Sequence, residues 1–135
     1  MNNFKSICEQ FSFILKGKSK IEKNSCSVSL HRNFKVLVQG RLSSSVAQVE
    51  VLFESIDQNG KALCLSEIAI LEEEIPLFMQ STYNQQRLIV SALHNHWLFT
   101  EPSIMYIHIQ SIEPPLEFAK KMEHAFSFLK SYPVP

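Results

Sequence analysis

The chain of 135 residues carries thirteen Lys and Arg against thirteen Asp and Glu, and 45% of its residues are hydrophobic. That length suits one domain with a sizeable core, and the balanced charge removes the electrostatic motive for binding nucleic acid or an anionic membrane surface. No apolar run approaches the roughly 20 residues that a membrane span needs.

The N-terminal stretch "MNNFKSICEQFSFILKGKSK" places Phe4, Cys8, Phe11 and Leu15 at helical spacing, interrupted by Lys5, Glu9 and Gln10. It reads as an amphipathic helix and not as a signal peptide. Gly17 and the basic residues up to Lys23 read as the end of that helix and a solvated loop. The three cysteines, Cys8, Cys26 and Cys64, are odd in number, widely spaced and accompanied by no leader, so the expectation is reduced thiols in a cytoplasmic protein. From Ser25 the pattern alternates: Cys26, Val28 and Leu30 share one face, and Phe34, Val36 and Val38 share one face of a second run. Two short strands follow from that. Two further apolar runs flank "DQNG", where Asn59 and Gly60 suit the positive backbone angles of a tight hairpin turn.

"EEEIPLFMQSTYNQQ" switches back to helical spacing, with Ile75, Phe78, Met79 and Thr82 on one side. Glu72, Glu73 and Glu74 then read as a helix start in water, favoured by the positive end of the helix dipole, and Pro76 is tolerated so near the start. "RLIVSALHNHW" and "SIMYIHIQSI" are strands joined by "LFTEP", and a last helix from about Pro115 to Lys130 carries Leu116, Ala119, Met122, Phe126 and Leu129 as its apolar stripe. The order helix, four strands, helix, two strands, helix predicts an α+β fold: an antiparallel sheet with helices packed on one face. Its C-terminal β-α-β-β-α part is ferredoxin-like without the final strand.

Residues two apart on a strand share a face, so His94 and His96 point one way while Leu93, Asn95 and Trp97 point the other. On the next strand Tyr106, His108 and Gln110 share a face. If the two strands pair, His108 falls near His94 and three imidazoles converge, with Glu101 in the connecting turn. Imidazoles and a carboxylate are ligands for zinc or another borderline divalent ion, and three protein ligands with an open position is the arrangement of a catalytic metal site. The same His-x-His pattern also occurs where imidazoles merely bond to backbone or line a polar cleft. His124 lies off the apolar stripe of the last helix, and His31 sits at a strand end. Ser91, Cys26 and Cys64 have no nucleophile signature around them.

"ALHNHWLFTEPSIMYIHIQSIEPPLEFAKKMEHAF" resembles the signature segment of the LppY/LpqO-like family of bacterial proteins: Ala-Leu-His-Asn-His, then Glu-Pro, then a Met or aromatic and a His before a terminal helix. "LCLSEIAILEEEIPLFMQ" and "HRNFKVLVQGRL" are similar to earlier family segments, so the resemblance runs from about Gly17 to Phe126 as a single domain. His31 stands where the family has Pro, Asn33 where it has an acid, and "IQSIEPP" replaces a Gly-containing turn. The resemblance implies that His94, Asn95, His96, Glu101, Pro102 and His108 act as a group, and it supplies no reaction.

Two functions fit such a group. One is a divalent-metal-dependent, hydrolase-like enzyme in which His94, His96 and His108 hold zinc and Glu101 is a ligand or general base. The other is a noncatalytic ligand-binding or regulatory domain whose polar cleft recognises a small anion or a partner segment through its imidazoles and Arg32, with Asn95 and Tyr106 as further ligand-binding residues.

Overall fold

The structure is a computed structural model and describes residues 2–135. The N-terminal amphipathic stretch forms α1 (Asn2–Leu15), followed by strands β1 (Ser19–Glu22), β2 (Ser25–His31), β3 (Val36–Val38), β4 (Arg41–Ser43), β5 (Gln48–Glu54) and β6 (Ala62–Leu71). A 3-10 turn at Glu72–Glu74 leads into α2 (Ile75–Tyr83), after which come β7 (Ile89–His94), β8 (Thr100–Glu101), β9 (Ile104–Glu113) and α3 (Pro115–Phe126). Among the described residues no helix is long and apolar enough to cross a membrane.

Six strands form one antiparallel sheet in the order β1-β2-β5-β6-β9-β7. Alternation gives it two faces. Val28, Val51, Cys64, Ile68, Ile107 and Ile109 lie in a core shared with Phe11, Phe78, Phe118, Met122 and Phe126 of the helices. All the helices pack on this face, which establishes the α+β class with helices on the sheet. The C-terminal part is ferredoxin-like as expected, but the α2 crossing skips one strand place where the chain order suggests a return directly beside the starting strand. β7 does not return beside β6: β9 lies between them and pairs antiparallel with both.

The second face is partly covered. A three-stranded sheet in the order β4-β3-β8 packs Val36 onto Ala69, Leu71, Ile104 and Tyr106, making a second, smaller core. Gln39 and Gly40, both with positive φ, turn β3 into β4, the geometry of a tight primed hairpin.

Several expectations need correction. The supposed loop after Gly17 contains β1, whose charged Lys20 and Glu22 suit the exposed edge of a sheet. Of the hairpin residues, Gly60 has positive φ and Asn59 does not. The Asp57 carboxylate shapes that loop instead, accepting hydrogen bonds from the N–H groups of Asn59 and Lys61 at 2.8 and 3.0 Å. Cys8 and Cys26 are not reduced thiols. They form a disulfide with a Cα–Cα distance of 5.7 Å, because the inward stripe of α1 rests on the inward face of β2. Cys64 is free and buried, and burial, with the charge of Glu113 adding, pushes its thiol up to about 12, an inert core position.

Candidate functional site

The part of the second face left open by the small sheet is where the histidines lie. In the registers of β5, β6 and β9, Glu50 stands opposite Glu67 and Glu67 opposite His108, so these side chains form one row across three strands. One residue pair along, Tyr106 stands opposite His94 on β7. Strand β7 carries a bulge between Val90 and Ala92. The bulge shifts the later residues of β7 by one place, so His94 shares the face of Tyr106 and His108 while Leu93 packs on the helix side.

His94 and His108 meet through their Nε2 atoms at 3.0 Å, with rings stacked at a centroid distance of 5.0 Å. His94 Nδ1 lies 3.4 Å from the carbonyl of Asn95. A proton on that Nδ1 makes His94 Nε2 the acceptor and His108 the donor of the shared bond, a tautomer assignment that follows from the partners. Strand β7 ends at His94, and the chain turns away from the sheet. His96 is therefore exposed, with its ring 5.6 Å from His94, 5.5 Å from Tyr106 and 4.5 Å from Trp97. Trp97, expected on the inward side, is 42% exposed and sits against His96.

Two contiguous clefts share the glutamate pair. One, of about 240 Å³, is lined by Gln48, Glu50, Glu67, His96, Trp97 and Tyr106. The other, of about 210 Å³, runs on past Glu50, Glu67 and His108 to Leu52, Leu65 and Ser91. Tyr106 forms the floor. Its ring is buried and its hydroxyl donates to the carbonyl of Val46. Burial pushes its phenol above the usual range, a hydrogen bond from Trp97 opposes this, and the charge of Glu67 adds to the rise.

A family model described as "Domain of Unknown Function (DUF1259)" matches residues 9–128. The chain belongs to this family. No curated protein and no solved structure matches it. The DUF1259 match spans every residue of the two clefts, from Ser45 to Ile109.

The other site residues expected from the DUF1259 chain's sequence fall elsewhere. Arg32 does not reach the cleft. It is buried, bonded to Glu74 at 2.6 and 2.7 Å and to the carbonyl of Ala69 at 3.0 Å. Glu101 lies exposed on β8, paired with Leu37 of the small sheet, and lines neither cleft. Asn95 is exposed and offers its backbone carbonyl, not its side chain. Among the described residues no group of three or more His, Cys, Asp or Glu side chains is arranged to hold a metal ion. Glu50 and Glu67 were missed, because a glutamate alternating with apolar residues looks like any solvated strand position. The available signal was Glu67 itself, a charge set inside the long apolar run "ALCLSEIAIL".

Proposed function

We propose that this domain is a noncatalytic binding module that holds a small molecule in the cleft over the second face of the sheet. The observation that carries this reading is the pair of contiguous clefts that meet at Glu50 and Glu67, one walled by His96, Trp97 and Tyr106 and the other by His108, whose ring is held by its bond to His94. A concave site with a few convergent polar groups on a rigid sheet is the usual form of a small-molecule site. Trp97 is the chain's one tryptophan, so its fluorescence reports occupancy directly. A panel of small organic cations, anions and neutral amphiphiles should contain members giving a saturable Trp97 response. His108→Ala should abolish that response and His124→Ala should leave it intact. If no member of the panel responds, the binding reading fails.

One observation favours a second reading, a zinc-dependent and hydrolase-like site. The two Nε2 atoms face one another, and the Nδ1 contact of His94 with a carbonyl is the outer support that metal-bound histidines use. Zinc would need His96 to rotate inward as third ligand, and Glu67, not Glu101, is the carboxylate at hand to act on a bound water. Protein purified without a histidine tag would then hold about one equivalent of zinc, with affinity falling as pH drops because protonated imidazole cannot ligate. Loss of that zinc in His94→Ala, His96→Ala and His108→Ala, with His31→Ala and His124→Ala unaffected, would replace the binding module by the metal enzyme.

A further inference from the structure

The geometry points to a subsite for an organic ammonium cation, its charged head over Glu50 and Glu67 and against the cleft wall that Trp97, Tyr106 and His96 form, its apolar stem along Leu52 and Leu65. This inference rests on the binding reading of the cleft and names the class of molecule bound.

The first ground is charge. Glu50 and Glu67 are direct partners across two antiparallel strands, an arrangement that destabilises a sheet when the charges are alike. Among the described residues no Lys, Arg or His forms an ion pair with either of them. The chain as a whole has zero formal charge, so this is a local excess of negative charge kept at a cost in stability. It repels an anion and attracts a cation.

The second ground is the wall chemistry. Trp97, Tyr106 and His96 stand edge to face around the same cleft, at ring centroid separations of 4.5 and 5.5 Å. Aromatic faces attract an alkylammonium head through the ring quadrupole, whereas a small metal ion takes oxygen, nitrogen or sulfur ligands and gains nothing from indole. The third ground is continuity. Leu52 and Leu65 are partners in the next row of β5 and β6 and line the adjoining cleft. An apolar stem leaving the charged head therefore meets apolar surface, while the aromatic end holds the head.

The test uses the intact chain and hexyltrimethylammonium, with hexanol and hexanoate as the neutral and anionic probes of similar length, all in the presence of EDTA. Calorimetry and Trp97 fluorescence should show saturable binding of the ammonium probe alone. Glu50→Gln and Glu67→Gln should each weaken it roughly tenfold or more, the scale of losing one charge-assisted contact. The same variants should melt at or above the temperature of the parent chain, since each relieves the cross-strand repulsion. That combination, lower affinity without lower stability, separates a binding role from a structural one. Equal binding of hexanol would overturn the inference by making the site merely apolar. Binding of hexanoate alone would overturn it while leaving the binding module in place. Absence of binding by hexyltrimethylammonium, or binding unchanged in both Gln variants, would also overturn it. A titration of the metal-free protein with zinc, after removal of EDTA, that quenches Trp97 where the ammonium probe does not would overturn the inference by assigning the carboxylates to a metal.

Discussion

At the scale of single residues, a fully buried ion pair lies away from the cleft. Arg32 and Glu74 are a bidentate pair with side chains 0% and 1% exposed, and Glu74 also accepts the backbone N–H groups of Leu71 at 2.9 Å and Lys130 at 2.8 Å. It thereby ties β2, the start of α2 and the segment after α3 together. Burial alone would raise the Glu74 carboxyl, but the hydrogen bonds from Arg32, Lys130 and Leu71, with the Arg32 charge, hold it below its ordinary value of 4.5. The unfolded chain therefore takes up this proton at higher pH than the folded one. The stabilisation is complete above about pH 4.5 and is lost as pH falls through the lower folded value. Arg32→Ala strands a buried carboxylate and should cost about 3 to 5 kcal/mol in chemical denaturation at neutral pH. In the same variant, the Glu74 contribution to the acid limb of the stability curve should shrink or invert. An Arg32→Ala chain as stable as the parent would mean that the pair is solvated. None of this was legible beforehand. Glu74 sits in a run with Glu72 and Glu73, which are exposed as expected, and only the tertiary fold distinguishes the third acid from its neighbours.

At the scale of elements, long patterns were readable and short ones were not. The alternation in β5, β6 and β9 and the helical stripes of α1 and α3 each repeat often enough to declare a buried face. β1, β4 and β8 are short strands that exist because a partner strand runs beside them, so no local pattern announces them. The disulfide is illegible for a related reason: spacing along the chain says nothing about a helix laid across a strand. The Cys8–Cys26 bond closes a loop with a sequence separation of 18, and restricting the unfolded chain by such a loop is worth about 3 kcal/mol. The Cys8→Ala, Cys26→Ala double variant should accordingly melt roughly 10 °C lower than the oxidised parent. Reducing agent should lower the parent toward the variant and leave the variant unmoved. On the neighbouring helix Phe126 is fully buried and His124 exposed. Phe126→Ala should cost about 3 to 5 kcal/mol and His124→Ala less than about 0.5 kcal/mol. Equal losses would mean that α3 presents a different face to the sheet.

At the scale of the whole molecule, the cleft exists because the two faces of one sheet are closed unequally. The helix side has an extensive core that takes in all three helices. The other side is closed at one end only, by β3, β4 and β8 over Val36, Ala69, Leu71, Ile104 and Tyr106. His94 and His108 could be brought together from the sequence because the apolar Leu93 and Ile107 mark the inward faces of their two strands, although the bulge that sets this register in β7 has no local signature. Glu50, Glu67 and Trp97 could not, since their convergence depends on β5 and β6 pairing in register and on the chain leaving the sheet after His94. Tyr106 joins the two regions: its ring belongs to the smaller core and to the floor of the cleft, and its hydroxyl holds the carbonyl of Val46. A small core offers less burial to resist opening, so the small sheet should open as a unit before the six-stranded sheet does. Native-state hydrogen exchange should then show β3, β4 and β8 exchanging together and faster than β5, β6 and β9. Tyr106→Ala removes the piece shared by both regions. It should speed exchange in β3, β4 and β8 far more than in β6, where Cys64, Ser66 and Ile68 remain sealed beneath the helices, and it should loosen the cleft in the same step. Uniform acceleration across both sheets would show instead that the molecule opens only as a whole, with the cleft no more mobile than the helix-side core.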